Sequence, residues 1–304
     1  MASDIELIST FDPLKLEAAD EQSTDRRRCA IVDVFTSAPL AGNQLAVFTD
    51  GRELSDELMQ RLARELGFSE TVFVLPARGT GDAHLRIFTP THELPFAGHP
   101  VLGSGVVIGT ALSRAQLTLE TGAGEIPLHL EGAQGRTVAG RMEQPIPASR
   151  PYERAPELLA ALGVERSGLP VEAYENGPLH VYVELDSESA LTALRPDMNA
   201  LAELAPAAAN CFTGAGRQWR TRMFAPALGV PEDPATGSAA GPLAVHLCRH
   251  GRIGFGQEIE IRQGAEVGRP SLLRARAEGS ATRVERVEVS GQAVIVAAAE
   301  FLLA

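Results

Sequence analysis

Lysine is almost missing from this sequence. Lys15 stands alone among the 27 basic residues, and every other one is arginine. A P-loop NTPase sets a lysine on the nucleotide phosphates, and a pyridoxal-phosphate enzyme needs one for its Schiff base, so neither chemistry has a residue to use beyond Lys15. Cysteine is scarce too: Cys29, Cys211 and Cys248 are too few and too scattered for a disulfide framework or a thiolate zinc site. No apolar run is long enough to span a bilayer, and residues 1–28 carry no signal-peptide h-region, so the expectation is a soluble, cytoplasmic protein. Base is outweighed by acid, with a formal charge of −12, which argues against a nucleic-acid groove or a docking face for anionic membranes. There is no Gly-x-Ser-x-Gly nucleophile elbow and no dinucleotide fingerprint.

What remains is a chain of 304 residues that is 44% hydrophobic, enough for a sizeable core and, by length, two domains. Residues 1–28 hold seven acidic and four basic side chains and few apolar ones, and read as a tail or a short docked helix. From Cys29 the pattern becomes short strands with strong turn punctuation. Strands are predicted at 29–35, 44–48, 70–76, 84–88, 115–121, 125–131 and 137–143. In the second half they fall near 179–185, 209–213, 218–224, 258–262, 272–277, 284–289 and 293–298. Ser55 caps a helix whose Leu58, Leu62 and Leu66 share one face and which Gly67 stops. Helices are also predicted over 155–162 and 238–250. The domain expectation is a tail (1–28), a first domain (29–150) and a second (151–304), with exchange of the C-terminal strand left open.

One internal repeat supports two related halves. RIFTPTHELPFAGHPVLGSG (86–105) and RMFAPALGVPEDPATGSAAG (222–241) align without gaps, matching at Arg86/Arg222, Phe88/Phe224, Pro90/Pro226, Pro95/Pro231 and Gly105/Gly241. Each copy runs from a strand through a turn into a helix rich in small residues, so two similar α+β domains should face one another with a site in the cleft between them. Gly98-His99-Pro100 and Thr236-Gly237-Ser238 open the two helices. Free N–H groups at such starts bind anions, and glycine admits a ligand close to the backbone; tight turns and close packing are the competing explanation.

The candidate chemical groups lie around these turns. Glu70 heads the apolar strand ETVFVLP, where a desolvated carboxyl would have a raised pKa and could exchange protons near neutrality; an exposed strand end is the alternative. His99 lies inside the first loop, where a structural role competes with a catalytic one. Asp233, beside Glu232, precedes the second helix, where acids also serve as caps or dipole partners. His246 and His250 have a metal-compatible spacing, but Leu247 takes the place of a zincin glutamate, and no metal is expected.

Taken together, DVFTSAPLAGNQLAVF (33–48), FSETVFV (68–74), PFAGHPVLGSG (95–105), EDPATGSAAGPLAVHL (232–247) and GFGQEIEIRQGAEVGRPS (254–271) resemble the PhzF-like family of phenazine-biosynthesis isomerases, within the diaminopimelate epimerase-like superfamily. The resemblance spans about Ile31 to Ala299. It implies two pseudo-symmetric α+β domains, each a curved, barrel-like antiparallel sheet around a central helix, commonly in a homodimer. It further implies a cofactor-independent isomerase of a small carboxylated substrate, of the trans-2,3-dihydro-3-hydroxyanthranilate isomerase type. By motif position, Glu70 is the acid/base, and His99 and Asp233 hold polar groups and assist proton movement. Gly98, Gly237, Ser238 and Asn43 bind substrate. The slots that hold paired thiols in the cysteine-dependent racemases of the superfamily read Ala97 and Thr236 here. Gly42-Asn43-Gln44 departs from the family's Gly-Asn-Pro. The alternatives are a thiol-free amino-acid epimerase or racemase, and a non-catalytic protein binding a metabolite or a partner on the same fold.

Overall fold

The structure, a computed structural model, describes residues 26–134 and 137–303; the tail read over residues 1–25 lies outside them. Arg26–Arg28, assigned above to that tail, already belong to the first strand. The first half runs β1 (Arg26–Val34), β2 (Asn43–Phe48), α1 (Asp56–Leu66), β3 (Glu70–Leu75), β4 (Ala83–Phe88), β5 (Glu93–Leu94), α2 (Gly98–Leu112), β6 (Gln116–Thr121), β7 (Gly124–Gln134) and β8 (Thr137–Glu143). After β9 (Ala148–Pro151) and α3 (Ala155–Leu162), the second half runs β10 (Glu172–Glu175), β11 (Leu179–Glu184), α4 (Glu188–Ala193), α5 (Met198–Ala202), β12 (Ala207–Ala215), β13 (Gln218–Ala225) and β14 (Val230–Asp233). It ends with α6 (Gly237–Arg249), β15 (Ile259–Gln263), β16 (Ser271–Gly279) and β17 (Val284–Leu302).

The two halves repeat one ladder. In the first, β1 pairs antiparallel with β2, β2 parallel with β3, β3 antiparallel with β4, and β4 parallel with β6; β7 and β8 follow antiparallel. In the second, β10, β11, β12, β13, β15, β16 and β17 repeat that alternation in the same order. The sheets are therefore mixed rather than antiparallel throughout. The parallel pairs arise at helical crossovers, which a tight hairpin cannot replace: α1 carries the chain from β2 to β3, α2 from β4 to β6, α4 and α5 from β11 to β12, and α6 from β13 to β15. β17 pairs with β8 and with β1 and so closes the first sheet into an eight-stranded barrel. Expected as two strands, β17 is one strand of 19 residues that also pairs with β16, joining the halves.

A helix fills each half. α2 and α6 bear apolar and small residues on every face and are buried along nearly their whole length, as a helix without a polar side must be. α2 packs against β1, β2, β6, β7 and β8, and α6 against β11, β16 and β17. The repeat holds at the strands, where Arg86 lies over Phe88 and Arg222 over Phe224. It slips at the helices, whose starts Gly98 and Gly237 are 139 positions apart. The extra residues form a 3₁₀ turn at Pro226–Leu228 in the second copy.

Local signals account for α1. Ser55 Oγ accepts a hydrogen bond from the Leu58 N–H at 3.2 Å, and Gly67 ends the helix in the left-handed region at φ 63. Ser55→Ala should cost about 1 kcal/mol of stability. An unchanged denaturation midpoint would show that this cap is idle.

Candidate active site

Four segments, from both halves, meet where the central helices begin. Gly67 turns the chain out of α1 so that Glu70 opens β3, paired with Leu45 of β2. Its side chain is 15% exposed. Burial raises the Glu70 pKa well above the usual glutamate value, and the negative charge of Asp233 adds to the shift. His99, the second residue of α2, is buried, and that burial lowers its pKa to about 4 although the Asp233 charge opposes it. His99 Nε2 lies 3.5 Å from Glu70 Oε2, too far for a strong hydrogen bond. Both shifts favour the uncharged forms and so disfavour an ion pair. Among the described residues neither of these two buried atoms has a hydrogen-bond partner. Native interiors rarely leave such groups unpaired, and two of them facing one another mark a place for a ligand.

Asp233, the last residue of β14, ties the halves together. Its Oδ1 accepts from Asn43 Nδ2 at 2.8 Å and from Ser69 Oγ at 2.7 Å, and its Oδ2 from Thr236 Oγ1 at 2.7 Å. Asn43 opens β2, and its amide also meets the Ala235 carbonyl at 2.9 Å and His99 Nδ1 at 3.2 Å. Gln263, at the end of β15, donates to the Asp233 carbonyl and to Thr236 Oγ1, and its Oε1 accepts the Thr236 N–H and the Thr221 hydroxyl. Asp233 is thus bound by protein partners through both oxygens, and Asn43 links it to His99.

The two helix starts press together. A Cβ on Gly237 would lie 2.9 Å from the His99 nitrogen, and one on Gly98 would collide with the Gly237 and Ser238 backbone. Ala97 and Thr236 hold the N-cap positions, and neither supplies a side-chain cap. The first-turn N–H groups of both helices therefore converge uncapped beside Glu70, a favourable arrangement for a carboxylate.

The sequence profile of the family described as "Phenazine biosynthesis-like protein" matches residues 32–299. The chain belongs to that family. Among its relatives is the trans-2,3-dihydro-3-hydroxyanthranilate isomerase of Pseudomonas aeruginosa, 56% identical over 264 residues that make up 87% of this chain and 95% of the relative. The enzyme of the same name from Pseudomonas chlororaphis is 57% identical over the same shares. Among solved structures, a predicted epimerase from Pseudomonas aeruginosa is 30% identical with a TM-score of 0.78, covering 92% of this chain and 100% of its own. This member of the PhzF family is an isomerase, as are its relatives at 55–57% identity.

Of the residues expected to form the site in this PhzF-family chain, Glu70, His99, Asp233, Asn43, Gly98 and Gly237 come together. Ser238 joins them as well, and its hydroxyl meets His180 behind the helix start, 3.0 Å from the ring. Ser69, Thr236, Gln263 and Gln144, whose amide donates to the Gly237 carbonyl at 2.9 Å, went unassigned as hydrogen-bonding partners. Ser69 and Thr236 adjoin motif residues, and Gln263 lies in a motif segment; nothing in their spacing shows which atoms they reach. The cysteines are elsewhere, in β1, β12 and α6, and burial pushes the Cys29 and Cys211 thiols up to about 12.

At the far end of α6, His246 and His250 gain a partner that their spacing did not reveal. Glu172 Oε2 receives His246 Nδ1 at 3.1 Å, His250 Nε2 at 3.0 Å and the Tyr174 hydroxyl at 2.9 Å. The His246 hydrogen bond, foremost among these, holds Glu172 down to about 2 despite partial burial. These three side chains also lie close enough together to ligate a metal ion. The hydrogen bonds already account for the cluster, which clamps the helix C-terminus to β10 a full helix length from Glu70.

Proposed function

We propose that this PhzF-family isomerase moves hydrogen between two carbons of a small carboxylated ring substrate without a cofactor, and that trans-2,3-dihydro-3-hydroxyanthranilate, the compound named for its relatives, is that substrate. The observation that carries the reading is the unpartnered Glu70–His99 pair set beside two uncapped helix starts. The substrate carboxylate binds at Gly98, Gly237 and Ser238, where backbone N–H groups and helix dipoles favour negative charge. Glu70 in its ionised form takes a proton from one ring carbon. The electron pair left behind spreads through the conjugated ring and carboxylate, and the Glu70 carboxyl returns the proton at another carbon. Nothing is oxidised or reduced overall. The raised pKa brings Glu70 toward the working pH, where a carboxyl both accepts and donates protons effectively. Neutral His99 meets the substrate's polar groups. Asp233 acts through its charge on Glu70 and through its grip on Ser69 and Asn43.

Three free cysteines suit a reducing cytoplasm, and the family resemblance favours a homodimer. The test is turnover of trans-2,3-dihydro-3-hydroxyanthranilate in D₂O by protein exhaustively treated with chelator. Migration of the ring double bonds at an undiminished rate is expected. Deuterium exchange at carbon without double-bond migration would turn the assignment to a thiol-free epimerase. Activity lost to chelator and restored by zinc would instead give Glu172, His246 and His250 a metal.

A further inference from the structure

Behind the start of α6 lies a second buried polar chain that the site as described does not use. His180, in β11, is 1% exposed. Its Nε2 lies 3.0 Å from Ser238 Oγ, and its Nδ1 lies 3.3 Å from Asn210 Nδ2, in β12. Asn210 Nδ2 also lies 3.0 Å from the Ala208 carbonyl oxygen.

That last contact settles the direction of every hydrogen in the chain. An amide oxygen in place of Asn210 Nδ2 would oppose the Ala208 carbonyl, so the nitrogen must be there, and it donates. Nδ1 of His180 then accepts and carries no hydrogen. The ring hydrogen sits on Nε2 and is donated to Ser238 Oγ. With its oxygen occupied as an acceptor from behind, the Ser238 hydroxyl has its own hydrogen left to give, and among the described residues Ser238 Oγ has no other hydrogen-bond partner. A serine nucleophile would need the opposite arrangement, a histidine that takes the hydroxyl proton.

We propose that His180 is a positioning residue that locks the Ser238 hydroxyl as a hydrogen-bond donor to the substrate carboxylate. This rests on the placement of that carboxylate at the helix starts proposed above. Ser238 is the second residue of α6, and its backbone nitrogen abuts Gly98 where the two helices meet. Its hydroxyl therefore adds a directed donor to the backbone N–H groups. Burial lowers the His180 pKa to about 3, so the ring stays neutral and its single hydrogen stays committed over the working pH range.

The probe pair is 3-hydroxyanthranilate, a stable aromatic relative of the substrate, and 2-aminophenol, which lacks its carboxylate. His180→Leu and Ser238→Ala should each weaken 3-hydroxyanthranilate binding by about tenfold, the scale of one hydrogen bond to a charged group. Binding of 2-aminophenol should change less than about twofold on the same scale. His180→Gln, whose amide nitrogen reaches the place of Nε2, should restore most of the affinity. In a Ser238→Ala background His180→Leu should cost nothing more, because His180 acts only through the hydroxyl. Additive losses, or equal losses for both probes, would overturn the proposal. In the unmutated protein, ¹⁵N shifts of His180 should show hydrogen on Nε2; hydrogen on Nδ1 would overturn it whatever the variants do. If the unmutated protein binds both probes equally, the carboxylate placement itself is wrong. If Ser238→Ala loses affinity and a folded His180→Leu does not, that placement stands and the relay fails.

Discussion

Glu70→Gln is expected to keep the fold and the ability to bind a small carboxylate while losing roughly 10²–10⁴-fold in turnover, the usual scale of general acid/base catalysis. The amide preserves the size of the side chain and removes the proton that moves between carbons. An exposed glutamate near pKa 4.3 would be a weak base toward carbon, but Glu70 is desolvated and lies near the charge of Asp233, both of which favour its protonated form. The same shift has a consequence for stability. Below the ordinary glutamate pKa, folded and unfolded chains are both protonated. As pH rises, the unfolded carboxyl ionises while the folded one keeps its proton, so stability declines until the folded pKa is reached. Glu70→Gln removes that decline, and its thermal midpoint at neutral pH should equal or exceed that of the parent. Near-parental turnover would take Glu70 out of the mechanism and leave His99 or Asp233 as the group to test. A midpoint that drops sharply would mean the carboxylate is stabilised in the fold, contrary to its surroundings.

Gly98→Ala should damage stability and turnover together. Its Cβ would fall 2.7 Å from the Gly237 Cα and nearer still to the Gly237 carbonyl carbon and the Ser238 nitrogen, all of them backbone atoms that no rotamer change can move. The starts of α2 and α6 would have to separate. Overpacking of this kind costs about 1–3 kcal/mol, and a shift on the order of 1 Å in a catalytic arrangement can lower turnover by about 10²-fold. Gly163→Ala is the control. Gly163, just past α3, has positive φ but nothing within 4 Å of the added methyl, so it should lose about 1–2 kcal/mol through backbone strain and keep its turnover. Equal kinetic loss in both variants would show that stability rather than the helix junction governs activity. A fully active Gly98→Ala would show that the junction tolerates separation.

Much of the local structure was legible in residue order. α1 lies between Ser55 and Gly67 as its cap and stop signals require, and α3 occupies 155–162 ahead of Gly163. Most of the longer strands fall within a residue or two of their alternating patterns, because burial of one face imposes a period of two wherever the strand pairs. The short β5, β9, β10 and β14 and the small helices α4 and α5 were not anticipated. Elements of two to six residues carry too little periodicity to stand out, and they form because neighbouring strands supply their partners. β17 read as two strands because Ser290-Gly291-Gln292 interrupts its apolar pattern, yet β8 pairs with all three of these residues and carries the strand through, while β16 reaches as far as Ser290.

The site divides along the same line. Glu70, His99, Gly98 and Gly237 stood out because each lies at the junction of an apolar element and a turn, where polar or small residues need a reason. Composition likewise argued against lysine chemistry before any fold was considered, and the family resemblance set Ala97 and Thr236 where paired thiols would stand. Partnership was a different matter. Asn43 and Asp233 meet across 190 positions of chain, His180 reaches Ser238 across 58, and Glu172 gathers His246 and His250 across 74 and 78. Sequence spacing encodes which face of an element is buried, since that depends on the repeat of a single strand or helix. Which atoms then meet depends on how two curved sheets close around their helices, and that closure involves residues with no common period.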